Sequence, residues 1–564
     1  MIVWDCGTMI MSHPRPQVEL IRRVRQGKIR INGYLMLLGI ILASLLLRLP
    51  YLGATSLWLD EIWSVGYARL PWRSLMWVIA HQDSNMSLYY VLLHLWIALS
   101  DSITFVRLLS VLSGLVGIPA LYALGKRLFQ SQVGLVAASL LAVNGFHIWV
   151  SQDARGYSLL VLLTTLSSAF FVAYVERPSR MNWWGYVCVS VLAIYSHIFA
   201  VLVLASHWAS LIFLRREKIP WKGVLTSSAT TGVLATPVAL FIYARARGPE
   251  SPLLGMPKLT SHTIYEIFYS LVGASVGGSS GKAIVVTYAV VCALAVLGGI
   301  RLWRRSGKCF ETWRLGFLVM WLLLPIGLVV AVSIALKPVL MLKYFLICLP
   351  PLLLLAAKGI QSIRPRVLAG IALAAAVALP ASALPLYYQT RSRNQVWKIA
   401  TDYILVRARP GDAAIFCAAP GRLAFDYYRS RYRQDGHAAT PNVVYPEFTD
   451  QDPRALKYWP PMNSGWIDYV DTHYSRVWIV VSHNSDDLHH RVNRLVAQPL
   501  SARYPVVEEC TIGGGAECKT ASTGSNLGIW NGSEVTLFLY SKAKVGQNLT
   551  LGSANTTENQ RSTP

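Results

Sequence analysis

Charge is scarce in this chain. Asp, Glu, Lys and Arg make up 14% of its 564 residues and hydrophobic residues 54%, a balance that excludes an ordinary soluble domain. Acidic residues are the scarcer sign, 28 against 52 basic ones, for a formal net charge of +24. In a soluble protein such an excess attracts nucleic acid. In a membrane chain it follows from basic loops held on the cytoplasmic side and from anionic headgroups, so no nucleic-acid partner is expected. Recognisable nucleotide and metal motifs are missing too: the chain has no P-loop, no dinucleotide fingerprint and no HExxH. If it is a transferase, its activated donor is not captured by a nucleotide-binding loop. Internal repeats are absent as well. Cysteine, 8 residues in all, says little: Cys188, Cys292 and Cys348 sit in apolar runs as packing residues. Cys510 and Cys518 flank a glycine-rich stretch and suit a small disulfide if that region lies in an oxidising compartment.

What the chain does have is a succession of apolar runs of about 20 residues, enough to cross roughly 30 Å of hydrocarbon. In lipid only helices and closed barrels satisfy their own backbone. The expected fold is an all-α polytopic membrane domain. Its spans fall near 34–49, 103–124, 133–150, 157–175, 184–195, 199–214, 224–243, 284–302, 315–336, 344–357 and 367–386, about eleven in all. Residues 1–32, with Arg22, Arg23, Arg25, Lys28 and Arg30, read as a cytoplasmic basic N-terminus rather than a cleaved signal. Residues 33–386 form the transmembrane domain, and 51–102 its first outer loop. The run 88–99 is short and rich in Tyr, His and Trp, so it is expected to lie at the interface.

The positive-inside rule decides that point. With 88–99 outside the bilayer, Lys126-Arg127, Arg177, Arg180, Arg215-Arg216, Arg304-Arg305 and Lys358 all fall on the cytoplasmic side. Making that run a span turns all of them outward. The first loop is therefore extracytoplasmic, and an odd number of spans puts the C-terminal region there too. Residues 387–540 are expected as a small α/β domain, with strands at 413–416, 477–481 and 535–539 and a helix at 486–496. Residues 541–564 read as a disordered tail. His489-His490 beside Asp486-Asp487 suits a solvated helix face better than a metal site.

Chemistry is concentrated on the outer side. Asp60 and Glu61 stand between Trp58 and Trp63, and tryptophan favours the membrane–water interface. Gln82-Asp83-Ser84-Asn85 precedes the interfacial helix, and Gln152-Asp153-Ala154-Arg155-Gly156-Tyr157 closes the third span. Tyr195-Ser196-His197 occupies an outer turn, and Lys337-Pro338 and Lys343-Tyr344 the last outer loop before the final pair. Any one of these fits a loop charge or a helix cap. Their shared depth marks them as functional candidates.

These segments resemble the GT-C superfamily of membrane glycosyltransferases, in its protein-mannosyltransferase and aminoarabinose-transferase branch (family 39-like). The resemblance is carried by Ser56-Leu57-Trp58-Leu59-Asp60-Glu61-Ile62-Trp63-Ser64, by 88–96, by Phe105-Val106-Arg107-Leu108-Leu109-Ser110, by 151–157 and by Lys343-Tyr344. Two departures are Met86-Ser87, where many members carry two prolines, and Lys343, where arginine is commoner. The resemblance implies a polyprenyl-phosphate sugar donor and transfer to an acceptor hydroxyl of a protein, lipid or envelope glycan. It implies Asp60 as general base, with Glu61 as its catalytic neighbour and Glu61 or Asp83 orienting the acceptor. Arg155 and Lys343, with Arg107 behind them, meet the leaving phosphate. Tyr157 and His197 line the sugar pocket, although His197 fits a packed helix-turn histidine equally well. The resemblance names no certain cofactor and leaves a divalent metal open. A lipid-linked sugar flippase is the alternative, marked by charges inside spans, broken helices or a halved repeat. A membrane-anchored assembly protein working through its C-terminal domain is another.

Overall fold

The computed structural model describes residues 16–246, 259–260, 262–276, 280–335, 339–392, 396–417, 419–432, 440–445, 465–482, 500, 505–512, 518–520 and 535–542. Lys337-Pro338, the helix expected at 486–496 with its His and Asp residues, the side chain of Cys518 and the tail from 543 lie outside them. The chain divides into two compact units, Met1–Arg393 and Asn394–Pro564.

The first unit is helical throughout. Its elements are α1 (Pro16–Arg48), α2 (Leu59–Arg69), α3 (Trp72–His81), α4 (Ser87–Ile97), α5 (Ile103–Leu128), α6 (Ser131–Val143), α7 (Gly145–Ser151) and α8 (Tyr157–Glu176). They continue with α9 (Arg180–Ser196), α10 (Ala200–Ser210), α11 (Trp221–Ala246), α12 (Thr263–Leu271), α13 (Gly281–Ser306), α14 (Phe310–Ala335), α15 (Leu349–Ser362) and α16 (Arg366–Ser392). A 3-10 turn, Leu342–Cys348, leads into α15.

Over their described residues, the apolar runs expected as spans are helical apart from short breaks such as the one at Asn144. Among the described residues, however, seven helices have the length and composition to cross a membrane, or eight if the bent pair α6–α7 counts as one. The apolar stretches Asn32–Arg48 and Ala200–Phe213 are shorter. Residues 88–99 do form a short helix, α4, and the first loop adds α2 and α3 beside it. The helix α12 was not foreseen.

The expected straight third span is broken at Asn144, with α6 and α7 meeting at 64°. Asn144 accepts the His147 N–H through its side chain (2.9 Å) and donates to the Leu271 carbonyl (2.9 Å), so it caps α7 instead of continuing α6. The carbonyls freed at the end of α6 go to Arg48 of α1, which donates to Ala142 (3.0 Å) and Leu141 (3.3 Å). Gly273, at φ +79°, brings its backbone against Gly145 and Asn144, where a side chain would collide. The break turns the chain so that residues 152–157 face the first loop.

Close helix packing relies on missing side chains. Gly125 of α5 meets the Gly134 backbone of α6 directly, the small-residue contact that lets membrane helices approach. On α15, a Cβ at Gly359 would lie 1.8 Å from the Val291 carbonyl oxygen of α13. Gly359→Ala is therefore expected to push these helices apart and cost about 1–3 kcal/mol, read as a lower midpoint in thermal unfolding in detergent.

The second unit carries α17 (Val396–Arg407), β1 (Ala413–Phe416), α18 (Ala419–Tyr432), β2 (Asn442–Tyr445), α19 (Gly465–His473), β3 (Arg476–Ser482), β4 (Val506–Ile512), β5 (Cys518–Thr520) and β6 (Val535–Ser541). The strands form one sheet in the order β2-β1-β3-β6-β4-β5. β1 runs parallel to β2 and β3, and the pairs β3–β6, β6–β4 and β4–β5 are antiparallel. All residues of β1 and β6 are buried, as expected for apolar runs covered on both faces. Cys510 is disulfide-bonded.

Candidate active site

Glu61 begins the geometry. It stands in the first turn of α2, where its Oε2 accepts the Trp58 N–H at 3.1 Å, closing the helix start from within. The same carboxylate takes two bonds from Arg107 of α5, Nε to Oε1 at 2.7 Å and Nη2 to Oε2 at 2.6 Å, and the Ala154 N–H at 2.7 Å. Both side chains are fully enclosed, at 0% and 1% exposure. Burial alone would push the Glu61 carboxyl up; the Arg107 guanidinium and the hydrogen bonds overcome it and hold the group below its ordinary value. Arg107 spends its remaining donors on Leu52 O (2.7 Å), Thr55 Oγ1 (2.7 Å) and Ser56 O (2.9 Å). Neither group has a lone pair or proton left for a substrate. The pair ties the first loop, α5 and the 152–156 segment together. Where Arg107 was expected toward a phosphate and Glu61 toward an acceptor, the structure turns the two toward each other and toward the backbone of 52–58 and Ala154.

Asp60, one residue earlier on the helix, points the other way. Its side chain is 33% exposed, and among the described residues its carboxylate receives no hydrogen bond; Lys343 Nζ lies 4.0 Å from Oδ2. The Lys343 ammonium rests against the Trp58 ring at 3.6 Å and faces Trp149 at 4.7 Å and Tyr157 at 5.7 Å, an aromatic cage for a cation. Arg155 closes the other side. Its Nη1 donates to Asp60 O (3.3 Å), Ser64 Oγ (3.1 Å) and Tyr90 Oη (3.4 Å), and its Nε is buried without a partner. Neighbouring phenols and carboxylates, Asp60 among them, outweigh burial and hold Arg155 well above its usual value, so it is permanently charged.

Tyr90 links this cluster to Asp83, donating to its Oδ2 at 2.6 Å, while Asn85 N donates to Oδ1 at 3.1 Å. Asn85 in turn faces His197 Nε2 at 3.2 Å and accepts the Ile198 N–H at 3.1 Å. His197 is 1% exposed and accepts the Phe199 N–H on Nδ1 at 3.2 Å. Burial, then the charge of Arg155, push its imidazole down to about 3, so it is neutral. It packs against Tyr344 at 4.8 Å and Tyr157 at 6.0 Å. Apart from Lys337-Pro338, outside the described residues, the loop segments singled out in the sequence thus converge around Asp60, with Glu61 and Arg107 behind them.

One partner had no sequence signal. Arg391, near the end of α16, donates to Asp153 Oδ1 (3.1 Å) and Gln152 O (2.8 Å). Asp153 keeps its second oxygen buried and unpaired. Burial raises its carboxyl above the usual value, with Arg391 opposing and Glu61 adding to the rise. A lone basic residue at the end of an apolar run looks like an ordinary flanking charge. Among the described residues no group of three His, Cys, Asp or Glu is arranged to hold a metal ion.

Residues 87–241 match the family model described as dolichyl-phosphate-mannose-protein mannosyltransferase. Over this stretch the chain is similar to membrane glycosyltransferases of that family. That family's description names a mannose carried on dolichyl phosphate. The fold is similar to that of ArnT from Cupriavidus metallidurans in the apo state, with 11% identity, a TM-score of 0.54, and coverage of 92% of this chain and 98% of that one. It is equally similar to the same protein bound to undecaprenyl phosphate, with 10% identity, a TM-score of 0.55, and coverage of 89% and 97%. No curated protein sequence matches the chain.

Proposed function

We propose that this glycosyltransferase moves a sugar from a polyprenyl-phosphate donor to an acceptor hydroxyl, with inversion at the anomeric carbon and Asp60 as general base. The observation that carries this reading is the contrast between the adjacent carboxylates. Glu61 is saturated and enclosed, whereas the Asp60 carboxylate is one-third exposed, accepts no hydrogen bond from the described residues, and is flanked by two cations. A base needs an accessible lone pair, and a leaving phosphate needs nearby positive charge.

In the step, Asp60 takes the acceptor's hydroxyl proton as that oxygen attacks the anomeric carbon. The bond from that carbon to the phosphate oxygen breaks, and polyprenyl phosphate departs as an anion. Lys343 and Arg155 meet the developing charge. Tyr157 and His197 shape the sugar pocket, with Asp83 holding Tyr90 and Asn85 at its edge. Glu61 and Arg107 position the loop that carries Asp60. Undecaprenyl phosphate bound to the ArnT fold supports the donor class.

Eleven crossings, a cytoplasmic N-terminus and a catalytic loop outside the cell are proposed with this reading. The basic clusters support that orientation, and so does the disulfide at Cys510, which suits an oxidising compartment. Lys343→Gln is expected to slow transfer by about 10²–10³-fold, and Lys343→Arg to restore much of it. Initial rates with a radiolabelled polyprenyl-phosphate sugar in proteoliposomes measure this. Full activity in Lys343→Gln would remove the ammonium from the mechanism.

A further inference from the structure

A second site lies at the far end of α8. That helix starts at Tyr157, in the active site, and Tyr174 stands about 26 Å further along it at 1.5 Å per residue. This is close to the thickness of a hydrocarbon core. Around Tyr174 opens a cavity of about 720 Å³, built where α8 ends and where α9 and α11 begin. Its walls carry Trp183, Trp184 and Trp221, and its charged lining is Arg180 and Lys222, with no carboxylate among the lining residues. Both cations are exposed. Two of the aromatic rings are open as well, Trp184 at 55% and Trp221 at 38% exposure.

The cavity is constructed rather than left over. Trp183 is anchored by its Nε1–H to Gly223 O at 3.1 Å. A Cβ on Gly223 would lie 1.5 Å from the Tyr174 hydroxyl, so the glycine leaves room for that ring. Ser179 caps α9 by accepting the Asn182 N–H at 3.2 Å, leaving the first N–H groups of that helix directed out of its start. The positive ends of α9 and α11 add to the two side-chain charges. Indole rings at an interface, exposed cations and an uncovered apolar floor together suit a lipid phosphate with its glycerol backbone.

We propose that this cavity binds the headgroup of an anionic phospholipid in the leaflet opposite the active site. Charge complementarity selects an anion, and the ring of tryptophans at the end of three apolar helices selects a membrane lipid over a soluble phosphate. The site holds the α8–α9–α11 corner together from the side away from the chemistry. It stands independently of the assignment of Asp60.

The test uses the full-length protein in nanodiscs or detergent, with native mass spectrometry of retained phosphatidylglycerol against phosphatidylcholine. Wild type is expected to prefer phosphatidylglycerol. One cation near an anionic surface contributes roughly fivefold in binding, so Arg180→Gln with Lys222→Gln is expected to lower that preference by roughly 25-fold. The charge-conserving pair Arg180→Lys with Lys222→Arg keeps it. An unchanged preference in the glutamine pair would overturn the proposal, as would an equal loss in the charge-conserving pair. Displacement of phosphatidylglycerol by millimolar inorganic phosphate alone would identify a soluble-anion site and overturn it too.

Discussion

Asp60→Asn is expected to lower sugar transfer by about 10²–10⁴-fold, the span of a lost general base, while leaving the unfolding midpoint unchanged. Asparagine has the size of aspartate, and the carboxylate it replaces is one-third exposed and makes no hydrogen bond that the fold depends on. Only the proton acceptor disappears. Rates with a radiolabelled polyprenyl-phosphate sugar, taken beside thermal unfolding of the same preparation, separate chemistry from folding. The product's anomeric configuration adds a second check, since one in-line displacement inverts it. A wild-type rate in Asp60→Asn would sink the assignment.

The neighbouring residue should behave in the opposite way. Glu61→Ala leaves the Arg107 guanidinium enclosed without its counter-charge, and removing one partner of a buried pair costs about 3–5 kcal/mol. The expected result is a large fall in the unfolding midpoint or loss of folded protein, with activity lost through structure. Replacing both partners by apolar residues, as in Glu61→Leu with Arg107→Met, removes the stranded charge and should recover much of that loss. Acid gives a further reading. The folded Glu61 carboxyl is held below its ordinary value, so its contribution is present above the ordinary carboxylate range. It is lost as pH falls through the depressed folded value. In Glu61→Gln that part of the acid destabilisation should vanish. If Glu61→Ala unfolds like wild type, the pair does not hold the loop.

These two residues also show where reading the chain stops. Asp60 and Glu61 are chemically alike and adjacent, and nothing in their spacing tells a base from a brace. The difference comes from α2, which turns successive side chains about 100° apart and so points one toward Arg107 and the other toward Lys343. Arg107 was expected behind Arg155 and Lys343 at a phosphate, as the family resemblance implies. In the fold it is consumed by Glu61 and the carbonyls of 52–56.

The sequence by itself determined what depends on composition along the chain. Long apolar runs must become helices in lipid, basic clusters mark one side of them, and the polar groups left on the other side gather at one depth. The strands expected at 413–416, 477–481 and 535–539 were legible for the same reason, as short apolar runs between polar ones, and form within 413–416, 476–482 and 535–541. Tertiary structure alone decided which charges pair and where a helix breaks. The break at Asn144 depends on Arg48 and on the Leu271 carbonyl, far away in the chain. Asp153 meets Arg391 across a separation of 238 residues. A buried charge takes whichever partner the packing brings within hydrogen-bond reach, and that reach is set in three dimensions, so no local pattern records it.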